Sequence, residues 1–267
     1  MHLGPLRLNT ERDQVRTYDA IFHEYVASSS APAARRVVEI VRSILPVSSV
    51  LDVGCGYGTW LRAWNAVGVA DVIGIDGPWV DASRLHIQRA SFMARDLATP
   101  MHLERQFDLV QSFEVAEHLP SRCAATLIDT LVAHGDAILF SAAPPGQGGE
   151  NHLNEQPYEY WRALFEARGF VALDCIRPLL ANDMAVSPWY RYNTFLYLRT
   201  AAAVPIPAFA AMFEIKRGER IRDVAPWVYR LRRILVRCLP APLQNALARA
   251  VAKRASGAMN LRNRASR

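Results

Sequence analysis

Short apolar runs alternate with longer amphipathic segments along most of this chain. "SVLDVG" (49–54), "DVIGID" (71–76), "IQRASFMA" (87–94), "FDLVQSF" (107–113) and "AILFSAA" (137–143) have the length and apolar content of buried strands. Between them, "TWLRAWNAVG" and "SRCAATLIDTLVAHG" carry apolar residues at helical spacing and end in glycine, a common helix stop. Residues 11–45 read as helical, with "AARRVVEIVRSIL" as the amphipathic part and Pro46 as the stop. Strand–helix alternation implies an α/β fold with a doubly wound, mostly parallel sheet. "VALDCIRPLL" (171–180) and "NTFLYLRT" (193–200) then follow with only a polar connector between them. So short a connection predicts an antiparallel pair at the sheet edge, and seven strands in all. The expected organisation is a helical cap over 1–45, a ligand-binding domain over 46–200 and a helical extension over 201–267.

Composition narrows the class. The chain has 267 residues, 51% of them hydrophobic, which supplies a sizeable core and excludes global disorder. Cys55, Cys123, Cys175 and Cys238 are scattered with no CxxC pair, which argues for a reducing compartment and against a structural zinc or a disulfide framework. The opening "MHLGPLRLNTERDQ" lacks the apolar region of a secretory signal, and no apolar stretch reaches the ~20 residues needed to span a bilayer. A cytoplasmic location is the expectation.

Charge is unevenly spread. The whole chain carries +6, yet from Arg222 onward eleven Arg or Lys face a single acid, Asp223, so the remainder is mildly acidic. Within "WVYRLRRILVRCLPAPLQNALARAVAKR" (227–254), Trp227, Tyr229, Leu231, Ile234, Leu235 and Leu239 interleave with Arg230, Arg232, Arg233 and Arg237. Such a helix suits peripheral contact with the anionic inner face of a membrane. Nucleic acid is the rival partner. It fits less well, because the body is acidic and most aromatic residues lie away from the arginines.

The chemistry-bearing residues fall at the predicted strand ends, where open parallel sheets bind ligands. "VLDVGCGYGTW" places Gly54, Gly56 and Gly58 between a strand and a helix, a loop that brings backbone close to a ligand. The spacing is GxGxG, and Thr59 departs from the dinucleotide fingerprint. Asp52, inside the strand end, would repel a pyrophosphate and suits a cationic or amino-bearing ligand. Asp76 ends the second strand, where an acid can accept ribose hydroxyls. Asp96 follows the third, either as acceptor for an adenine amino group or as a helix N-cap.

"LDVGCGYG", "GID", "RDL" and "FDLVQSFEVAEHL", in that order and spacing, resemble the successive motifs of class I S-adenosylmethionine-dependent methyltransferases over residues 45–200. The resemblance implies a Rossmann-like sheet and S-adenosylmethionine as cofactor. It implies Asp52, Gly54, Cys55, Gly56 and Gly58 near the methionine end, Asp76 and Gly77 at the ribose, Asp96 and Leu97 at the adenine, and Phe113 completing the set.

"SFEVAEHLP" (112–120) crowds Glu114, Glu117 and His118 at the end of the fourth strand. In one reading Glu117 merely favours a helix N-terminus and His118 is exposed. In the other they hold Mg²⁺ or Mn²⁺, together with His152 from "AAPPGQGGENHLNEQP" (142–157). This Glu-x-x-Glu-His pattern resembles that of metal-dependent 2′-O-methyltransferases acting on small-RNA 3′ ends and of ubiquinone-pathway O-methyltransferases, and metal-free methyltransferases carry it as well. Without metal, His152 or His118 serves as general base, with Glu114 as the third catalytic candidate.

A histidine base points to a hydroxyl acceptor. The 142–157 loop and "WYRYN" are similar to segments of small bacterial methyltransferases that modify glycans. The leading expectation is therefore an O-methyltransferase acting on a sugar, a glycan, or a glycosylated or lipid-linked small molecule. A metal-dependent RNA 2′-O-methyltransferase and a non-catalytic cofactor-binding protein are the alternatives. The lid is expected from residues 1–30, the 144–157 loop and the 181–193 connector. There Trp189, Tyr190 and Tyr192 either stack on an acceptor ring or pack as strand-edge core.

Overall fold

The computed structural model describes the backbone of residues 20–254 apart from 203, 241 and 252, with side chains from residue 29 onward. The helical reading of residues 11–19, and the part of the expected lid before residue 20, lie outside the described residues.

Eight strands form one sheet in the order β3-β2-β1-β4-β5-β7-β6-β8. They are β1 (Ser49–Val53), β2 (Asp71–Asp76), β3 (Phe92–Ala94), β4 (Leu109–Phe113), β5 (Ala137–Ser141), β6 (Phe170–Leu173), β7 (Phe195–Arg199) and β8 (Glu214–Ile215). β1 to β5 are parallel, and β7 runs antiparallel to both β5 and β6. The expected antiparallel pair is present and forms one edge of the sheet together with β8, with β7 set between β5 and β6. The eighth strand adds to the expected seven: Ala172 pairs with Ile215 and Leu173 with Glu214. Two residues with no apolar run give no periodicity to read. β8 also ties the extension into the sheet, so residue 200 does not mark where the sheet domain ends.

Two other expectations are shortened. Only Phe92–Ala94 of the 87–94 run is strand, after a tight helical turn at Arg89–Ser91. "VALDCIRPLL" stops being strand at Leu173, and Arg177–Leu180 form a helical turn, α5 in the chain order below. The cause is Arg177. Its fully buried guanidinium makes two 2.6 Å hydrogen bonds to Asp174 and one of 3.2 Å to the Tyr192 carbonyl, which folds the chain back on itself.

Helices cover both sheet faces, as parallel strands buried on both sides require. On one face lie α1 (Ala20–Arg42), α2 (Thr59–Ala66), α5, α6 (Pro188–Asn193) and α7 (Ala208–Ala211); on the other lie α3 (Ala124–Ala133) and α4 (Tyr158–Glu166). α1 buries Ala33, Ala34, Val37 and Val41 at helical spacing in the same core as Trp64 of α2. It is part of the main core and not a separate cap. Trp64 Nε1 in turn donates to Gln111 Oε1 of β4 at 2.9 Å, pinning α2 to the sheet. The strand order reverses between β1 and β4, which opens a crevice at their carboxyl ends.

Candidate active site

A cavity of about 480 Å³ opens in that crevice, within the ~300–1,000 Å³ range of small-ligand sites. Its floor is the loop after β1. Gly54 and Cys55 both donate to the Ile75 carbonyl, at 2.7 and 3.1 Å. Gly54 has φ +88°, and a Cβ there would stand 2.2 Å from Val115 Cγ2, so glycine alone lets the β1 and β4 loops close together. Gly56, at φ +53°, faces open space and lines the cavity, leaving its backbone bare to a ligand.

Two carboxylates sit beside this loop. Asp76, at the end of β2, accepts the amides of Gly56 and Gly77 at 2.7 and 2.6 Å. Burial raises its pKa and those two amides partly offset the rise. Asp52 in β1 is 1% exposed, belongs to the cavity lining and has a buried Oδ2 with no hydrogen-bond partner. Burial, first, and the nearby Asp76 push its pKa up to about 7, partly offset by the Gln111 side chain. A buried carboxylate with one oxygen left unpartnered in a cavity wall suits a cationic partner. Trp60 and Phe113 stack at 3.8 Å, with Tyr190 edge-on to both, and all three line the cavity.

These features fit S-adenosylmethionine: a bare glycine loop, an acid at the second strand end and an unpaired acid for an ammonium or sulfonium. Of the expected cofactor residues, Asp52, Gly54, Cys55, Gly56, Asp76, Leu97 and Phe113 line the cavity. Gly58 and Gly77 stand behind it. A Cβ on Gly58 would press on Ile87, and one on Gly77 would enter the Trp79 ring. Asp96 is exposed and turns its Oδ1 onto the Ala98 amide at 2.9 Å within a turn; no helix follows it, so the expected N-cap role is not seen, while its neighbour Leu97 reaches the cavity.

The acceptor end is built from the loops after β4 and β5. Glu114 takes φ +54°, an uncommon conformation for a non-glycine residue and one that occurs at functional sites. Its amide donates to the Ser141 carbonyl at 3.0 Å. The Glu117 carbonyl accepts the amides of Leu153 and Asn154 at 2.7 and 3.0 Å, which binds the two loops together and carries His152 to the β4 loop. The His118 and His152 rings then meet edge to face at 4.8 Å. Donor atoms of Glu117, His118 and His152 all lie within 4.8 Å of one another.

Glu114 does not join this group. Its carboxylate accepts from Gln147 Nε2 at 2.6 Å and from Asn193 Nδ2 at 3.4 Å, and Tyr158 donates to Asn193 behind them. Burial raises the pKa of Glu114 against these hydrogen bonds. Glu117 is 1% exposed, with Oε2 unpartnered. Burial and then the charge of Glu114 drive its pKa well above the ordinary carboxylate range.

Glu155 was not legible as a site residue. It lies 2.8 Å from His152 Nδ1 and accepts the amides of Gly146 and Gly148 at 2.7 Å each. Burial opposes its charge, but His152 and the two amides outweigh burial and hold it below the ordinary range. With Nδ1 engaged, His152, a residue of the cavity lining, has Nε2 against the backbone of Gly149, where a Cβ would come within 2.0 Å. The only available signal was its position, three residues after the histidine in a Gly-rich loop.

The far wall comes from the extension. α8 (Trp227–Arg237) contributes Tyr229, Arg232 and Val236, and the helical stretch 242–251 contributes Gln244, Leu247 and Val251. Arg232 donates to the Gln147 carbonyl at 2.9 Å, and Asn245 Oδ1 accepts from the Asn151 amide at 3.0 Å. Ser29, Ser30, Trp189 and Tyr190 also line the cavity, in line with the expected lid, whereas Tyr192 packs against Tyr229.

Fold and cavity together define a nucleoside-cofactor-binding α/β enzyme with its site at the sheet's switch point. The sequence model of the family described as "Methyltransferase domain" matches residues 22–173, more than half the chain, and the chain belongs to that family. It is a methyltransferase with S-adenosylmethionine as its cofactor. The match takes in α1, ahead of the motif-bearing region at 45–200. No protein of curated function matches the sequence.

Similar solved structures include the sugar N-methyltransferase KedS8 from Streptoalloteichus sp ATCC 53650, with TM-score 0.51 and 17% identity, covering 74% of this chain and 99% of that one. An O-methyltransferase family protein from Burkholderia thailandensis has TM-score 0.51 and 15% identity, covering 67% and 58%. Streptomyces venezuelae DesVI has TM-score 0.50 and 17% identity, covering 68% and 99%. At these identities the likeness is one of fold.

Proposed function

We propose that this methyltransferase acts on a hydroxyl of a sugar, a glycan, or a glycosylated or lipid-linked small molecule. The observation that carries this reading is the His152–Glu155 pair beside the cavity, with Nδ1 held at 2.8 Å by a carboxylate that stays ionised. A hydroxyl is a poor nucleophile until its proton has somewhere to go, and a nitrogen acceptor has less need of a base.

S-adenosylmethionine supplies a methyl group on a sulfonium, whose carbon–sulfur electrons return to sulfur as a neutral thioether. The protein's part is placement and proton transfer. His152 Nε2 takes the acceptor's proton as the oxygen forms its bond to carbon, and Glu155 steadies the imidazolium. Asp52 binds the cationic end of the cofactor, Asp76 the ribose, and the aromatic wall of Trp60, Phe113 and Tyr190 excludes water. Trp189 and Tyr190 give the acceptor side flat apolar surfaces of the kind sugar rings stack on.

A second reading is favoured by the unpartnered Glu117 Oε2 and the convergence of Glu117, His118 and His152. Two imidazoles and one carboxylate suit a divalent ion that accepts mixed nitrogen and oxygen ligands, Mn²⁺ before Mg²⁺. Such an ion would lower the pKa of a coordinated hydroxyl. The test for both readings is incubation of purified protein and trideuteromethyl-labelled cofactor with fractionated extract, with mass spectrometry of the products. A labelled methyl ether supports the proposal. An N-methyl product, or no product in any fraction while S-adenosylhomocysteine binds, overturns it.

A further inference from the structure

α8 is amphipathic the wrong way round for a helix packed on a soluble domain. At about 100° per residue, Trp227, Val228, Leu231, Ile234 and Leu235 fall within an arc of about 120°. That arc points outward: the five are 68%, 58%, 46%, 61% and 62% exposed. The opposite side meets the domain and carries the polar groups. Arg232 reaches the Gln147 carbonyl, Arg233 pairs with Asp223, and Val236 is the helix's buried apolar residue. Burial of apolar surface normally decides which face of a helix turns inward. Here five large apolar side chains are left in contact with whatever lies outside.

We propose that this outward face seats on an anionic lipid surface. Charge selects the occupant. Exposed Arg230 and Arg237 lie along one edge of the apolar arc and Arg232 beyond the other, and exposed Lys253 and Arg254 follow on the next helical stretch, where Arg249 pairs with Glu150. The acid of this segment, Asp223, is engaged by Arg233, so the face offers nothing to neutralise the arginines of a second copy. An apolar strip with cationic flanks is the arrangement of an interfacial helix, whose apolar face enters the acyl boundary while its arginines meet headgroup phosphates. Among the described residues no helix is long and apolar enough to cross the membrane, so the contact is with the surface.

The position of the surface ties it to the site. Leu247 and Val251 line the cavity and are yet 43% and 48% exposed, and Leu243 beside them is 52% exposed. The helical stretch that follows α8 thus carries exposed apolar side chains at the cavity wall. An amphipathic acceptor held in the bilayer could present its hydroxyl to the cavity while its tail stayed in lipid. This last step rests on the hydroxyl-acceptor reading above; the docking itself does not.

The test is flotation of the full chain with vesicles of phosphatidylcholine alone or with phosphatidylglycerol added, beside a variant carrying Leu231→Asp, Ile234→Asp and Leu235→Asp. These side chains are exposed and outside the cavity, so calorimetry with S-adenosylhomocysteine should give the same affinity for both proteins. The expected result is binding to the anionic vesicles that high salt weakens and that falls at least tenfold in the variant. Equal partitioning of both proteins, or no preference for anionic over neutral vesicles, overturns the proposal. So does a dimer in sedimentation that the substitutions dissociate, with no vesicle binding by the wild type. None of these outcomes depends on catalysis, so failure here leaves the hydroxyl-acceptor reading untouched.

Discussion

His152 Nδ1 stands 2.8 Å from Glu155 Oε1, and the same carboxylate is held by the amides of Gly146 and Gly148. The ring is thereby fixed in orientation beside a carboxylate held below its ordinary pKa range. Loss of the base in His152→Ala should lower kcat by ~10²–10⁴ with cofactor affinity unchanged. Glu155→Gln keeps the shape but removes the charge, worth ~1.5–3 kcal/mol to a charged hydrogen bond, so kcat should fall about 10- to 100-fold. Steady-state kinetics that show the loss in KM and not in kcat would assign the pair to binding instead.

Asp52 links cofactor binding to a cost in stability. Its pKa is about 7 in the folded chain against an ordinary 3.8, so between those values the folded state holds a proton that the unfolded state has lost. Stability of the unliganded protein should fall as pH rises from about 4 to about 7 and level off above. Asp76, Glu114 and Glu117 are shifted the same way and add to the trend. Asp52→Asn should raise the melting temperature at pH 8 yet weaken cofactor binding by about 10- to 100-fold, from the ~1.5–3 kcal/mol of a charged hydrogen bond. Cofactor affinity of the wild type should increase through pH 7 as the carboxylate ionises. A thermal-shift series alongside calorimetry checks both signs, and a less stable Asn variant at pH 8 would contradict the account.

Two glycines of one loop should fail differently when a methyl group is added. In Gly54→Ala the Cβ meets Val115 at 2.2 Å from a backbone at φ +88°, so the fold itself should lose ~2 kcal/mol or more. In Gly56→Ala nothing stands within 4 Å, and the methyl projects where a ligand must approach. That variant should stay folded, at a strain cost of ~1 kcal/mol, and lose cofactor affinity. Circular dichroism melts and S-adenosylhomocysteine titration separate the two.

The metal reading has its own discriminating result. If Glu117, His118 and His152 hold a divalent ion, chelator should abolish turnover, Mn²⁺ should restore it, and Glu117→Gln should remove the rescue. Elemental analysis of the purified protein gives the same answer without an assay. Turnover that ignores chelator leaves His152 and Glu155 as a metal-free pair.

Much of the cofactor side was legible in the sequence because it depends on local geometry. Gly54, Gly56 and Asp76 are fixed by where a strand ends and a helix begins, and that boundary is written in the apolar pattern. The acceptor side depends on which loops touch. Glu114 and Glu117 are three residues apart, yet Glu114 bonds Gln147 and Asn193 while Glu117 turns toward two histidines. Nothing local distinguishes them; the 147–154 loop and α6 do, and they come from distant parts of the chain. Asp96 differs: its carboxylate turns onto the Ala98 amide two residues on, a local contact, while Leu97 reaches the cavity.

By itself the sequence determined the doubly wound sheet, the glycine loop and the acids at the strand ends, since periodicity and strand-end position follow from the covalent chain. Only the tertiary structure decided that Glu155 orients His152, that β8 continues the sheet beyond residue 200, and that the basic extension walls the cavity while its apolar face points outward. Each of those depends on a contact between segments far apart in the chain, and such contacts are selected by the burial and hydrogen bonding of the whole fold rather than by neighbouring residues.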